Sequence, residues 1–362
     1  MTAKTRYFLV GSVVVFMVGL SIGLVAYYGG MPQGLFAPKT GPAELSMVPE
    51  DAAVVAFANV KQVMSSDLRQ RLRQFGGPTD EGRNEIKAQT GIDIERDIEY
   101  VVAFMGPKQG DTAANANGVV LARGKFDQAR LEAFAKEKGA TVEDYKGKRL
   151  IKPGAHDTDR QDDQAEKHAQ AFAVAFLEGG LVAIGGDAAV RRVIDGAASK
   201  AKSARDNAEM MKMVADQKDA SFWAVGRFDA ISSQAKLPQE VTDRIPPINW
   251  FSASGHVNGG VQVMVKAETK SDEAATNLRD IVRGFVAMAK LQAGNRPEAQ
   301  ALWPSVEMGG TGKTVSLSFG VTTQLIDVMT PKGRNSGGAP GKVAPGKPEA
   351  PEKTEKSDKP AK

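Results

Sequence analysis

The longest apolar run in the sequence lies near the N-terminus, from Tyr7 to Tyr28, and Ser12 and Ser21 are its only clearly polar residues. As an α-helix it would span about 33 Å, which is enough to cross the roughly 30 Å hydrocarbon core of a bilayer. The alternative is a cleaved signal peptide, but such peptides carry an apolar stretch of only about 7–15 residues and a small-residue cleavage site. The pattern therefore predicts an uncleaved transmembrane helix over residues 7–28.

The charges around this helix predict its orientation. Lys4 and Arg6 precede it, and the next basic residue along the chain is Lys39. Because Lys and Arg are retained on the cytoplasmic side, residues 1–6 are expected in the cytoplasm and nearly all the rest on the outer side. We therefore expect a single-pass protein of the inner (cytoplasmic) membrane whose main domain is periplasmic or extracellular.

Two glycines, Gly19 and Gly23, stand four residues apart within the predicted membrane helix. This GxxxG spacing lets two transmembrane helices approach closely. Glycine is also common in transmembrane helices generally, so the pair is a candidate for helix packing and for a homodimer through the membrane segment.

Residues 29–45 are rich in Gly and Pro and predict a flexible linker, after which strand and helix patterns alternate. Apolar or alternating runs predict strands at Val54–Val60, Ile98–Met105, Gly118–Ala122, Ala171–Phe176 and Leu181–Ile184. Apolar residues at three- and four-residue steps predict helices after Val60, between Asp127 and Gly139, and from Asp187 onward. Hairpin turns are expected at residues 145–149 and 178–180.

The second half of the chain repeats this order. Strands are predicted at Ser221–Phe228, Trp250–Val257, Val261–Ala267 and Val315–Val321, with a hairpin turn at Asn258–Gly259. Ser271 begins a long helix, one face of which carries Leu278, Ile281, Val282, Phe285, Met288 and Ala289. The repetition predicts an α+β fold of two similar units, residues 46–200 and 201–330, each an antiparallel sheet with helices packed on one face.

The formal net charge of +4 is concentrated at the two ends of the chain. Residues 331–362 carry eight Lys or Arg against four Asp or Glu and have no aromatic residue, so this Pro- and Lys-rich tail is predicted to be disordered. A nucleic-acid-binding domain would need its basic residues on a folded face. The sequence therefore predicts no nucleic-acid partner, and the tail is expected to contact an anionic envelope polymer or a lipid surface.

The composition excludes several kinds of chemistry. The chain contains no cysteine, so disulfides, thiolate nucleophiles, cysteine-bound zinc, iron–sulfur clusters and a lipoprotein's lipid-attachment cysteine are ruled out. The three histidines are His156, His168 and His256, and no Gly-x-Ser-x-Gly elbow accompanies them, so no Ser/His/Asp triad is predicted. We expect neither a cofactor nor enzymatic activity.

The segment Gly309–Thr314 resembles the end of a phosphate-binding loop. That motif needs a glycine five residues before Gly312, where this chain has Glu307, and it needs a helix afterwards. Val315–Val321 alternates as a strand instead, so we predict a hairpin turn.

Four aspartates cluster between two predicted strands, and they are Asp157, Asp159, Asp162 and Asp163. Carboxylate oxygens at short spacing are ligands that calcium prefers. The segment lacks the glycine turn and the twelfth-position glutamate of an EF-hand. We expect a solvated acidic loop, with a weak cation site as the alternative.

Two groups of apolar residues are candidates for binding surfaces, because Trp rings stack on sugars and Met surfaces adapt to different partners. They are Trp223, Trp250 and Trp303, and Met210, Met211 and Met213. Trp at strand positions and Met on a helix more often pack into the core, and we expect that role for both groups.

Two passages resemble uncharacterised bacterial envelope proteins that carry an N-terminal anchor and duplicated α+β units. The first is Met47–Val60, with the sequence MVPEDAAVVAFANV, and the second is the strand–helix passage Leu181–Asp195. The resemblance covers about residues 45–330. It implies the same location and fold, and it brings no catalytic residues with it.

Together these features predict a membrane-tethered extracytoplasmic protein with a non-catalytic interaction or scaffolding role. Its expected partners are the bilayer, through the helix, and an envelope protein or anionic polymer. The first alternative is a small-ligand binding module with a pocket between the two units. The second is a hydrolase that uses two carboxylates in one cleft, one of them with a raised pKa.

Overall fold

The computed structural model describes residues 41–66, 84, 87–107, 118–153, 172–199, 201–232, 245–257, 260–293, 300 and 303–322. Within these ranges the strands are β1 (Val54–Ala58), β2 (Ile98–Met105), β3 (Gly118–Gly124), β4 (Thr141–Tyr145), β5 (Lys148–Lys152), β6 (Phe172–Leu177), β7 (Leu181–Gly186), β8 (Phe222–Arg227), β9 (Ile248–Val257), β10 (Gly260–Thr269), β11 (Glu307–Gly309) and β12 (Thr314–Thr322). The α-helices are α1 (Val60–Met64), α2 (Ile94–Asp97), α3 (Gln128–Glu137), α4 (Asp187–Ser199), α5 (Ala208–Ala215), α6 (Phe228–Ser232) and α7 (Asp272–Ala293). Short 3₁₀ helices cover Ala43–Ser46, Ala204–Asp206 and Trp303–Ser305.

Local sequence chemistry explains where the predicted helices begin. The Asp127 carboxylate accepts a hydrogen bond from the backbone N–H of Arg130 at the start of α3. The Ser271 hydroxyl accepts one from the N–H of Ala274 at the start of α7. Each side chain satisfies a backbone donor that has no partner within its helix, and both predicted helix starts are confirmed.

Two predicted hairpin turns are also confirmed. Lys146 and Gly147 adopt φ angles of 52° and 76° between β4 and β5. Gly179 and Gly180 adopt φ angles of 70° and 73° between β6 and β7. These left-handed conformations suit tight turns between antiparallel strands, and glycine adopts them without steric cost.

The described strands form one antiparallel sheet of twelve strands, in the order β11-β12-β10-β9-β8-β1-β2-β3-β7-β6-β5-β4. The two halves of the chain meet where β1 pairs with β8, with Ala56 opposite Ala224. Outward from this pair, β2, β3 and β7 follow on one side, and β9, β10 and β12 follow on the other. The α+β class with an antiparallel sheet is confirmed, and the two sheets expected from the sequence are joined into one.

Helices cover both faces of this sheet, so the expectation of helices on one face is wrong. In β7, Ala183 belongs to the core under Val190 of α4, whereas the adjacent Val182 packs in a cluster with Leu131 of α3. Adjacent strand residues point to opposite faces. The physical reason lies in strands such as β3, where the continuous apolar stretch Val119–Ala122 is buried and requires cover on both sides.

The fold begins earlier than the predicted boundary at residue 46. Ala43–Ser46 form a 3₁₀ helix in which Leu45 is completely buried in the main core. Arg205 donates a hydrogen bond of 2.9 Å to the carbonyl oxygen of Pro42. The last residues assigned to the linker therefore belong to the folded domain.

Among the described residues, none of the helices combines the length and the apolar character needed to cross a membrane. The predicted membrane helix, with Tyr7, Tyr28, Gly19 and Gly23, lies outside the described residues. The predicted tail, residues 331–362, lies outside them as well.

Candidate functional site

The first half of helix α7 packs on the outer strands of the sheet. Ala275 and Leu278 are buried against Val315 of β12, with Ala267 of β10 and Val282 partly buried beside them. This cluster fixes the helix over the sheet and covers its apolar face at that point. The packing extends as far as Val282, about halfway along the helix.

The second half of α7 exposes large apolar side chains to solvent. Phe285, Met288 and Leu291 are 60%, 51% and 81% exposed. The sequence pattern places Phe285 and Met288 on the same face as Leu278, but of these three residues only Leu278 is buried. The 22-residue helix is about 33 Å long and continues beyond the packed cluster.

The apolar residues of this half, together with the partly buried Ile281, follow the spacing of a helix-pairing surface. Ile281, Gly284, Met288 and Leu291 lie at steps of three, four and three residues, which is the pattern of the contact seam between two paired helices. Phe285 lies beside this row. A Cβ atom added at Gly284 would meet nothing within 4 Å, so the space above this glycine is open. We call these five residues the α7 seam.

The sheet also exposes apolar side chains near its outer end. Val265 of β10 is 39% exposed and lies between Ala253 of β9 and Leu317 of β12. It points to the same face as Ala267, two residues along, which the first half of α7 covers. Apolar area on this face therefore extends past the part that the helix covers, and such surfaces mark interaction sites.

The charges of α7 are unevenly distributed along its length. The first half carries a net charge of opposite sign to the second, and a 2.9 Å ion pair between Asp280 and Arg283 joins the two halves. The first half contains Asp272, Glu273, Arg279 and Asp280, and the second contains Arg283 and Lys290.

A buried polar cluster connects the 3₁₀ helix at the start of the fold to the sheet. The side chain of Glu44 is 1% exposed, and it accepts hydrogen bonds from the Tyr100 hydroxyl at 2.9 and 3.0 Å and from Arg123 Nε at 3.0 Å. Arg123, which is 26% exposed, also forms an ion pair with Glu44 through Nη2 and donates to the carbonyl oxygen of Gly179. The cluster joins the 3₁₀ helix to β2, β3 and the β6–β7 turn.

Burial and charge change the ionisation of this cluster. Burial, followed by the neighbouring negative charge of Glu44, raises the pKa of Tyr100. Burial acts to lower the pKa of Arg123, but its hydrogen bonds and attraction to Glu44 outweigh that effect and raise it. The tyrosine therefore stays protonated as a donor and the arginine stays charged near neutral pH, which is consistent with a structural connection.

A second group of charges fixes the β4–β5 hairpin to α4. The Arg191 guanidinium lies 4.3 Å from the centre of the Tyr145 ring and pairs with Asp187 at 3.1 Å and with Glu143. Lys152 lies 3.3 Å from Asp187. Both cations of this group pair with carboxylates of the same group, which indicates a structural role.

A shallow surface depression of about 380 Å³ is lined by Glu50, Asp51, Arg192 and Lys202. Arg192 pairs with Asp51 at 2.7 Å, and Lys202 lies 3.7 Å from Glu50. Both carboxylates are thus matched by cations within the chain, unlike the acid pair that the hydrolase alternative requires.

At the boundary between the two halves, β1 and β8 pair directly, so the described residues there form a sheet instead of the cleft that the ligand-binding alternative requires.

The phosphate-loop look-alike is a hairpin turn, as predicted. β11 pairs antiparallel with β12, with Gly309 opposite Ser316, and a strand follows the turn instead of a helix. Arg279 of α7 donates to the carbonyl oxygens of Gly312 and Thr314 at 2.8 and 3.1 Å. These backbone oxygens hold the helix in place.

Both groups of apolar candidates lie largely in the core. Trp223 and Trp250 are buried, and Trp250 Nε1 donates to Glu209 at 3.2 Å, whereas Trp303 is partly exposed beside Lys290. Met210 is completely buried, and Met211 and Met213 pack against the same core. Core packing is therefore confirmed for these residues except Trp303.

The remaining sequence candidates are not brought together by the described structure. His256 is an exposed residue of β9, opposite Gln262 of β10. His156, His168 and the acidic loop with Asp157, Asp159, Asp162 and Asp163 lie outside the described residues. The calcium alternative stays a prediction.

Sequence reasoning missed Glu44, Tyr100 and Arg123. The sequence pattern places Glu44 in a flexible linker and Tyr100 in a strand with no special role. A signal was present in β3, where Arg123 follows the apolar run Val119–Ala122 and needs a partner if it is to remain near the core.

Comparison with protein-family models and with curated proteins finds no match to this chain. A solved structure described as crystal form I of TP0453 matches with a TM-score of 0.43 and 7% sequence identity. The match covers 79% of this chain and 96% of that one. The resemblance to bacterial envelope proteins stays a prediction.

Proposed function

We propose that this chain is a membrane-tethered extracytoplasmic protein that acts by binding another macromolecule, in an interaction or scaffolding role without catalysis. The exposed α7 seam carries this proposal, because soluble domains rarely leave a row of large apolar side chains in water. The apolar run from Tyr7 to Tyr28 and the basic residues before it support the tether and its orientation.

We also propose that the two halves of the chain are duplicated units. The corresponding order of β1, β2, β3 and β7 and of β8, β9, β10 and β12 around the β1–β8 pair supports this proposal. A helix follows the third strand in each half, α3 after β3 and α7 after β10. In this arrangement α7 is the counterpart of α3, and its free second half is the feature that distinguishes the second unit.

The predicted membrane orientation can be tested by labelling single cysteines, because the natural chain contains none. A cysteine in place of Glu137, whose side chain is 72% exposed, should react with a membrane-impermeant maleimide in cells with an intact inner membrane. A cysteine in place of Thr5 should react only after lysis, since residues 1–6 are expected in the cytoplasm. The opposite labelling pattern would show that the orientation is wrong.

The binding role of the α7 seam can be tested by capture of the tagged full-length chain from membranes. Phe285→Lys places a charge on the seam, and proteins that bind there should be depleted at least about tenfold, because an unpaired charge in an apolar interface is costly. Thr276→Lys is the matched control, since it places the same side chain on an exposed position of the same helix, away from the seam.

The outcome that supports the proposal is loss of a partner with Phe285→Lys and its retention with Thr276→Lys. An identical set of captured proteins in both variants and in the natural chain would refute a role for the seam. Circular dichroism of the purified variants checks that both remain folded.

A further inference from the structure

We infer that the partner of the α7 seam is the same helix of a second copy of this chain, packed antiparallel to it. This inference rests on the proposed function, because both copies must be tethered to one membrane. It goes further by naming the partner and the register in which the two helices meet.

The residues of the seam complement themselves in an antiparallel register. When two α7 helices are aligned so that Gly284 of one lies at the level of Met288 of the other, Ile281 of one lies at the level of Leu291 of the other. Each Met288 then enters the open space above the partner's Gly284. Large and small residues alternate across the contact, which is how facing helices interdigitate. A parallel pair would set Gly284 against Gly284, which leaves a gap, and Met288 against Met288, which crowds the contact.

The charges of the helix also favour the antiparallel arrangement. Its first half carries Asp272, Glu273 and Asp280 against Arg279, and its second half carries Arg283 and Lys290 with no acid. In this register Asp280 lies at the level of residue 292 of the partner, about 3 Å along the axis from Lys290, whereas Asp272 and Glu273 lie beyond the end of the partner's α7. A parallel pair would instead set each charged residue against its own copy. The two helix dipoles also oppose each other favourably.

The size of the contact indicates that pairing depends on the membrane. A few large apolar side chains bury on the order of 500 Å² per chain, whereas a stable interface typically buries about 800 Å² per partner. Tethering of both copies to one membrane raises their effective concentration into the range where such a weak contact forms. Close packing through Gly19 and Gly23 in the predicted membrane helix would act in the same direction.

Cysteine cross-linking of the full-length chain in membranes tests the register directly. Gly284→Cys and Met288→Cys are expressed separately and together, and the membranes are treated with a mild oxidant. The co-expressed pair should give a cross-linked dimer at least about fivefold more abundant than either variant alone. The reason is that equivalent positions are offset by four residues, about 6 Å along the axis, and a disulfide requires Cβ atoms within about 4.5 Å.

The control is Glu137→Cys, which reports random collisions from an exposed position of α3. Equal cross-linking in all combinations, or preferential cross-linking of one variant with itself, would overturn the antiparallel pairing. When Phe285→Lys is added to both cysteine variants, the cross-linked Gly284–Met288 dimer should fall to the level seen with Glu137→Cys.

The two proposals fail in different ways. If Phe285→Lys abolishes capture of another protein while the Gly284–Met288 cross-link is absent, the seam binds a different chain and the second copy is overturned. If the captured partner is the untagged copy of this chain and the cross-link forms, both proposals stand. If neither the cross-link nor a seam-dependent partner is found, the proposed binding role fails as well.

Discussion

Replacing Arg123 with methionine is expected to destabilise the folded protein by about 3 kcal/mol, because it leaves the buried carboxylate of Glu44 without its cation. Tyr100 would remain as a donor, but one neutral hydrogen bond does not compensate for a carboxylate that is 1% exposed. Urea unfolding of the purified chain, followed by the fluorescence of the buried Trp223 and Trp250, measures the loss.

Replacing the other partner of this ion pair, Glu44→Gln, should lower the free energy of unfolding by less, about 1–2 kcal/mol, because Arg123 is 26% exposed and can be solvated. Adding Glu44→Gln to Arg123→Met should recover part of the stability lost in the single variant, since it removes the unpaired charge. A double variant less stable than Arg123→Met alone would show that the unpaired carboxylate of Glu44 does not cause the loss.

Gly255→Ala is expected to destabilise the fold by about 2 kcal/mol, within the range found for overpacked cores. Gly255 in β9 lies opposite Phe222 in β8, and the buried Phe222 ring covers the glycine, so a methyl group at this position would overlap the ring. Because both strands lie in the middle of the sheet, neither can move aside freely. Urea unfolding followed by tryptophan fluorescence measures this loss of stability.

The matched control is Gly196→Ala in α4, where an added Cβ meets nothing within 4 Å. This change should stabilise the protein by about 0.5–1 kcal/mol, because alanine favours a helix more than glycine does. Combining Gly255→Ala with Phe222→Leu should make the alanine less costly than it is alone. A neutral Gly255→Ala variant would contradict the close packing at this pair.

Short-range chemistry made most strands and turns predictable from the sequence. The strand Ile98–Met105 matches its prediction at both ends, and the turns at Lys146–Gly147 and Gly179–Gly180 form where the residue types require them. These elements depend on neighbours within a few residues, so the pattern of apolar and turn-forming residues contains the information that specifies them.

Features that depend on distant partners were not predictable in the same way. The joining of two expected sheets depends on the pairing of β1 with β8, which no local pattern specifies. The pattern places Glu44 in a linker because its neighbours Pro42 and Gly41 are typical of linkers, and only Tyr100 and Arg123, far along the chain, explain its burial.

The α7 seam illustrates a third limit. An amphipathic pattern shows which face of a helix is apolar, but it does not show whether that face meets the same chain or another one. The sequence pattern places Leu278 and Phe285 on one face, and the structure was needed to separate Leu278, which is buried, from Phe285, which is exposed.

The pairing of β1 with β8 has a consequence for how the chain acquires its structure. Roughly 170 residues separate Ala56 from Ala224, so β1 gains its second neighbour only after most of the domain has been synthesised. At typical translation speeds of about 5–20 residues per second, this interval is roughly 10–30 s. During that time β1 has one unpaired edge, which makes the nascent chain vulnerable to aggregation and gives chaperones a natural point of engagement.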